Sequence, residues 1–254
     1  MSTAVRLVDR VAVVTGGGGG IGRATALELA ALGARVVVAD IDESSAQQSA
    51  QAVVERGGQA TACRVDVTSP DEHAKLMAHA LQAFGRVDVM VNNAGVAQGG
   101  ALLDWTPAMV ERVTAVNQHG VLYGIQAAAR VMQGAGRGGV IINVGSIYGE
   151  LATLYCIGYQ ATKAAVEIMT KVAAHELAPH GIRVVNVAPG VVDTTMIDDY
   201  RKAGLADRMA KKHMRGALVQ PEQVARVIAL LATDAASVIN GTTVFADDGF
   251  SAFK

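Results

Sequence analysis

Short apolar runs alternate with longer segments of helical period from one end of the 254-residue chain to the other. Residues 11–14, 35–39, 60–65, 88–91, 140–144, 182–187 and 242–246 are rich in Val and Ile without strict in–out alternation, the pattern of strands covered on both faces. Helix signals fill the intervals. Ser69-Pro70-Asp71-Glu72, Thr106-Pro107 and Gln220-Pro221-Glu222 open helices with a cap and a proline in the first turn, and Gly33, Gly85 and Gly181 close them. Residues 106–132 read as one long helix. Strand–helix alternation throughout predicts an α/β fold: one doubly wound parallel sheet of about seven strands with helices on both faces, in a single domain spanning 1–254.

One segment breaks the rhythm. Residues 191–216 follow Pro189-Gly190 but show no clean period, mixing Asp198, Asp199, Arg201, Lys202, Lys211, Lys212 and Arg215 with Met196, Leu205 and Met209. Long connections in compact domains are often lids over a site. An extra pair of surface helices is the alternative.

Composition narrows the function classes. Half of the residues are hydrophobic and the net charge is -1 with no block of like charge, so nothing favours nucleic acid or an acidic partner. The first six residues lack the apolar core of a signal peptide, and no apolar run is long enough to span a membrane. Two cysteines, Cys63 and Cys156, suit a reduced cytoplasmic setting. Neither they nor the six histidines have metal-ligand spacing, so no metal is expected.

The first strand runs into Thr15-Gly16-Gly17-Gly18-Gly19-Gly20-Ile21-Gly22, and a helix follows. Glycines at a strand-to-helix turn let a pyrophosphate approach the backbone, and the helix N-terminus favours its charge. Asp40 closes the second strand, where a carboxylate can accept the adenosine ribose hydroxyls and repel a 2′-phosphate. The glycine stretch 17–19 holds no base to welcome such a phosphate, so the cofactor expected is NAD. Asp42 is a rival acid better suited to capping a helix, and Arg23 is the one discordant base nearby.

The stretch from Ser146 to Lys163 carries the reactive groups. Tyr159 and Lys163 are four apart, one turn from each other on a helix face shared with Val166 and Thr170. A phenol of ordinary pKa about 10 must be lowered by roughly 3 units to act as a base near neutrality. An ammonium about 5 Å away supplies roughly 3 kcal/mol at an effective dielectric near 20. A second positive charge, such as an oxidised nicotinamide, completes the shift. Ser146, at a strand end, can hold a reacting oxygen. Such pairs also occur as plain surface stacks, and Asn92-Asn93-Ala94-Gly95 reads equally as an ordinary turn. Asn117 is odd because Asn is a poor helix former.

Thr15-Gly16-x-x-x-Gly20-x-Gly22, Asp66-Val67, Asn92-Asn93-Ala94-Gly95, Asn117, Ser146, Tyr159-x-x-x-Lys163 and Pro189-Gly190 occur in order and at the expected strand ends. In this the chain resembles the compact branch of the short-chain dehydrogenase/reductases, from Leu7 to Gly249. Asp247-Asp248-Gly249 departs from the commoner Asp-Gly-Gly ending. The resemblance implies a Rossmann fold, a homotetramer and hydride transfer between NAD and an alcohol or ketone. It makes Tyr159 the general acid/base. Lys163 lowers the pKa of Tyr159 and binds the nicotinamide ribose, and Ser146 bonds the substrate oxygen. Asn117 bends its helix and holds a water on a proton path toward Lys163. Cofactor contacts fall to Gly16, Gly20, Ile21, Gly22, Asp40, Ile41, Asp66, Val67, Asn93, Ala94, Gly95, Pro189, Gly190, Val192 and Thr194, with Tyr159 and Lys163.

The expected function is therefore an NAD-dependent oxidoreductase acting on a secondary alcohol, of the diol, polyol or cyclic kind, or on its ketone. A 3-oxoacyl carrier-protein reductase and a non-catalytic NAD-binding sensor or scaffold are the alternatives, but a scaffold should have lost Ser146, Tyr159 or Lys163. Ser146, Tyr148, Glu150, Tyr155, Cys156, Val191 and Met196, with Val96 and Ile147, make a mixed pocket without dominant charge. Cys156 reads either as pocket lining or as a small filler. Gly120, Gly124, Ala127 and Ala128 suit close packing, either between subunits or on the sheet.

Overall fold

The computed structural model describes residues 5–252; residues 1–4, part of the leading stretch read above, and 253–254 lie outside them. Seven strands, β1 (Val11–Thr15), β2 (Arg35–Asp40), β3 (Gln59–Arg64), β4 (Val89–Asn92), β5 (Gly139–Val144), β6 (Ile182–Pro189) and β7 (Thr243–Ala246), form one sheet in the order β3-β2-β1-β4-β5-β6-β7. All the pairings are parallel. The order reverses between β1 and β4, so the crevice for a ligand opens at the C-terminal ends of these strands.

Two apolar layers explain the absence of alternation. Val14, Val36, Val38, Val91 and Ile142 pack on one face of the sheet, and Val13, Val37, Met90, Ile141 and Val184 on the other. Helices α1 (Gly20–Ala31), α2 (Glu43–Glu55) and α9 (Pro221–Ala232) cover the first face. Helices α3 (Pro70–Phe84), α5 (Gly120–Ala135) and α6 (Ile157–Leu177) cover the second. The expected caps are in place. Ser69 accepts from Glu72 N and Thr106 from Met109 N, Gln220 forms a capping box, and Gly85 closes α3 in the left-handed region.

The long helix expected over 106–132 is instead broken. Helix α4 (Pro107–Thr114) gives way to a π-turn, Ala115–His119, before α5 begins at Gly120. Asn117, a poor helix former, sits in this turn, where its side chain serves tertiary bonds. The small residues of α5 also have an internal use. A Cβ on Gly124 would come within 2.0 Å of Asn92 Oδ1, and one on Gly120 within 3.0 Å of Val67, so the stripe lets α5 approach the sheet.

A buried polar chain fixes α6 against this sheet. Asn92 Nδ2 donates to Asn143 Oδ1 (2.8 Å), and Asn143 Nδ2 donates to Thr170 Oγ1 (2.9 Å). Buried amides tolerate few alternative partners, so these bonds set the register of the helix. Lys163 and Val166 lie on the same buried face as Thr170. The segment 191–216 contains a short 3₁₀ turn, Thr195–Ile197, and two short helices, α7 (Asp198–Lys202) and α8 (Ala206–Ala210). Both short helices carry exposed residues, Asp199, Arg201 and Lys202 on α7 and Asp207 and Arg208 on α8. The segment's apolar side chains Ile197, Tyr200 and Met209 pack with Ile147, Tyr148, Val191 and Phe250.

Candidate active site

The glycine loop leaves β1 at the switch point and is knitted to β4. Asn93 Nδ2 donates to Thr15 O (2.9 Å) and Gly16 O (3.0 Å), while Thr15 Oγ1 accepts from Asn93 N (3.1 Å) and Ala94 N (3.3 Å). This closeness dictates glycine: a Cβ on Gly22 would lie 2.0 Å from Gly16 O and 2.6 Å from Asn93 Nδ2. Helices α2, α3 and α4 are capped by side chains, whereas α1 starts behind Gly19 with no side-chain cap and no acid in its first turn. Its free N–H groups and positive dipole end therefore face the loop, a fit for a pyrophosphate.

Asp40 stands beside this loop. Its Oδ2 accepts from Gly18 N (2.9 Å) and its Oδ1 from Asp42 N (3.1 Å), which aims a carboxylate from the end of β2 toward the glycines. A Cβ on Gly18 would come within 2.9 Å of Oδ2. Asp42 is the N-cap of α2, accepting from Ser44 N and Ser45 Oγ, and those bonds hold its carboxyl below the usual range. Ile41 is exposed next to Asp40. Asp66, at the end of β3, accepts from Thr68 N (2.9 Å) and Thr68 Oγ1 (2.7 Å) through one oxygen, and these bonds lower its pKa while the other oxygen stays free of them. Buried His73 bonds Val67 O (3.1 Å) and backs this edge. Thr194 meets the loop from the opposite side, its Cγ2 3.1 Å from where a Cβ on Gly20 would lie. Arg23 lines a cavity of about 490 Å³ with Gly20, Thr194, Arg56 and Arg201. These residues fit a dinucleotide.

Ser146, Tyr159, Lys163 and Asn117 come together at the ends of β4 and β5. Lys163 is buried and its Nζ donates to Val144 O (2.8 Å), while lying 5.6 Å from the centre of the Tyr159 ring. Gly95 is so close to the lysine that a Cβ there would stand 3.8 Å from Nζ. Asn117 is fully buried. It accepts from Val96 N (2.8 Å) and donates to Val96 O (2.9 Å) and Thr162 Oγ1 (3.3 Å), and Thr162 Oγ1 donates to Tyr159 O (2.7 Å). Its amide is thus spent on joining the 94–96 turn to α6. Ser146 Oγ accepts from Tyr148 N (3.1 Å).

The electrostatics differ from the sequence-based expectation. Desolvation pushes the Tyr159 phenol above its ordinary 10, and the nearby Ser146 hydroxyl does not reverse this. Desolvation also brings Lys163 down to about 8. Burial acts on both partners and favours their neutral forms, so the lysine alone does not produce a phenolate.

The pocket candidates divide. Tyr148 and Val191 pack with Ile147, which follows Ser146, and Tyr200 of α7 joins them, its hydroxyl 3.4 Å from Cys156 Sγ. Glu150 and Tyr155 instead line a neighbouring cavity of about 580 Å³ with Gly100, Leu102, Leu154 and Gln160; that lining omits Ser146, Tyr159 and Lys163. Gln160 clamps the wall between them, accepting from Thr153 N (3.1 Å) and donating to Thr153 O (2.7 Å). Met196 is exposed. Sequence reasoning missed His213, a buried residue whose Nε2 accepts from Val191 N (3.2 Å) and whose Nδ1–H donates to Ala210 O (3.3 Å). A Cβ on Gly190 would come within 2.7 Å of that Nε2, so the imidazole fills the space behind the Pro189-Gly190 turn, and Val192 pairs with Val219 alongside.

A family model described as enoyl-(acyl carrier protein) reductase matches residues 16–251. Cis-4-hydroxycyclohexanecarboxylate dehydrogenase of Sinomonas cyclohexanicum is 42% identical over 96% of this chain and 97% of its own length. The chain belongs to the short-chain dehydrogenase/reductase family. Among other members, cyclohexanol dehydrogenase of Acinetobacter sp. (strain SE19) is 36% identical, over 96% of this chain and 95% of its own. The structure of a gluconate 5-dehydrogenase from Burkholderia cenocepacia J2315, in complex with NADP and tartrate, superposes with a TM-score of 0.94 at 32% identity, covering 99% of this chain and 98% of that one. As a short-chain dehydrogenase/reductase the protein is an oxidoreductase of secondary alcohols that uses a nicotinamide cofactor.

Proposed function

We propose that the protein is an NAD-dependent dehydrogenase interconverting an uncharged secondary alcohol, a diol, polyol or cyclic alcohol, with its ketone. The observation that carries the reading is the meeting of Ser146, Tyr159 and Lys163 beside a glycine loop whose flank holds the carboxylate of Asp40. Asp40 accepts both hydroxyls of the adenosine ribose and repels a 2′-phosphate, which selects NAD over NADP. Ser146 Oγ holds the substrate oxygen, and Tyr159 Oη takes the carbinol proton in oxidation or returns it in reduction. Lys163 leaves Val144 O to bind the nicotinamide ribose hydroxyls. With the Asn117 amide committed to Val96 and Thr162, any water on the proton path toward Lys163 is held by the backbone of the π-turn. NAD, when bound, supplies the hydride acceptor. The segment 191–216 acts as the lid, with Thr194 at the carboxamide end.

The protein works as a cytoplasmic homotetramer in this reading. Exposed Leu154, Ile168 and Val172 near or on α6, and Val238 with Phe245 at the sheet's β7 edge, provide the apolar surfaces for such an assembly. Free Cys63 and Cys156 suit a reducing compartment.

The test is a screen of cyclic alcohols, diols and polyols with NAD, set beside reduction of a carrier-linked 3-oxoacyl substrate. In Tyr159→Phe, kcat should fall by at least about 10²-fold, the low end of general acid–base contributions, while NADH still binds. Turnover near that of the unaltered protein would move the acid/base elsewhere. A larger kcat/KM for the carrier substrate, falling steeply with salt, would favour the acyl-reductase alternative.

A further inference from the structure

The cleft around Tyr159 contains one polar pair that the chemistry does not use. Tyr200, on α7, places its hydroxyl 3.4 Å from the sulfur of Cys156, the residue that begins α6. The surrounding side chains are apolar or committed. Ile147, Val191, Leu151 and Met209 pack there. The charges nearest Tyr200 in the chain are turned elsewhere: Arg201 is paired with Asp193 and Asp198, and Lys202 with Asp199.

A thiol is a weak hydrogen-bond partner in either direction. A half-buried phenol bonded to sulfur therefore gains by exchanging that bond for one to oxygen. The bond to Cys156 and burial both push the Tyr200 phenol up, so the hydroxyl stays neutral and offers nothing to a carboxylate beyond an ordinary hydrogen bond.

We propose that Tyr200, with Cys156 as its resting partner, is a specificity-determining residue that bonds a second, uncharged oxygen of the substrate while Ser146 and Tyr159 hold the reacting one. The proposal rests on the dehydrogenase reading above. It makes the preferred substrate a cyclic diol or hydroxyketone rather than a simple cyclic alcohol. Cys156 then has a role distinct from filling space: it keeps the phenol oriented without binding it so tightly that a substrate oxygen cannot displace it.

The experiment compares cyclohexanol with the cyclohexane-1,2-, 1,3- and 1,4-diols, using NAD and the intact protein. At least one diol should exceed cyclohexanol in kcat/KM by about tenfold, the upper range of one net hydrogen bond. Tyr200→Phe should remove most of that advantage through KM, leaving cyclohexanol within about twofold. Cys156→Ala should preserve the diol preference because the phenol remains. Thermal unfolding and NADH binding verify that both variants fold. Equal losses on diol and cyclohexanol in Tyr200→Phe would overturn the proposal, as would a preference that survives Tyr200→Phe but vanishes in Cys156→Ala. Good oxidation of cyclohexanol with no diol preference would overturn it while leaving the dehydrogenase reading intact. Failure to oxidise any of the four would instead overturn that reading, and the role of Tyr200 with it.

Discussion

The cofactor-free protein should not hold Tyr159 as a phenolate at neutral pH. A full ammonium 5.6 Å from the phenol ring would stabilise the anion by about 3 kcal/mol at an effective dielectric near 20, equivalent to about two pH units. Two features oppose this. Burial raises the phenol above its ordinary 10, and it brings Lys163 from 10.5 to about 8. The lysine thus loses most of its charge before the phenol begins to titrate, and the Coulomb gain fades with it. The perturbation to apply is pH, with Tyr159→Phe as the reference and the ultraviolet tyrosinate band as the assay. Without cofactor, the Tyr159-dependent absorbance should appear only above about pH 10. With saturating NAD, whose ring adds a second positive charge, kcat for oxidation should rise through an apparent pKa well below that. A Tyr159-dependent tyrosinate signal at neutral pH without cofactor would refute the reasoning. The same displacement has a stability signature. Between about pH 8 and 10.5 the native lysine has released its proton and the unfolded one has not, so this group's contribution to stability rises with pH across that window and is lost as pH falls through 8. Lys163→Met should flatten that rise.

Two further outcomes test the cofactor side. NAD should be preferred over NADP by more than about tenfold in kcat/KM, and Asp40→Ala should narrow that preference; an unaltered protein that works better with NADP would sink the assignment. His213→Leu leaves the buried Val191 N–H without its partner, at a cost of about 1–3 kcal/mol, while Ala210 O keeps the bond from His213 N, so the melting point and the NAD KM should both worsen. His213→Gln, whose amide can accept from Val191 and donate to Ala210, should recover the KM; equal defects in both variants would reduce His213 to a packing role.

The sheet was legible because its cause is local. Residues such as Val36, Val37 and Val38 are buried on both faces, so the runs are apolar throughout, and the structural strands begin or end within a residue or two of those runs. The caps at Ser69 and Thr106 were legible for a similar reason, since a hydroxyl and its N–H partner lie within one turn. Tyr159 and Lys163 could be paired from their spacing, but their protonation could not. That depends on burial and on Val144 O, which is nineteen residues from Lys163 in the chain. The break at Asn117 was half legible. An Asn inside an apolar helix signals a bond outside it, but its partner, the Val96 backbone, is supplied by the fold. Tyr200 and His213 escaped notice because the 191–216 segment has no period, and their meaning comes only from Cys156 and Val191, distant in sequence.

The unusual Asp248 and the end of the segment 191–216 explain each other. Asp248 has φ 48°, a left-handed conformation in which glycine, the commoner residue here, would be unstrained. In exchange its carboxylate accepts from Arg215 N (2.9 Å) and Arg215 Nε (2.7 Å), and its carbonyl accepts from Met214 N (3.0 Å). Those contacts, the charge of Arg215 among them, hold the carboxyl below its usual range, so the clasp is ionised at neutral pH. Phe250, two residues on, packs edge-to-face with His213, at 5.2 Å between ring centres, and Lys212 Nζ lies over the same phenyl ring at 5.5 Å. The rear of the segment 191–216 is therefore bonded to the C-terminal turn and, through His213, to the Gly190-Val191 backbone. Nearer its start, Tyr200 meets Cys156 and, with Ile197, packs against Ile147 and Val191.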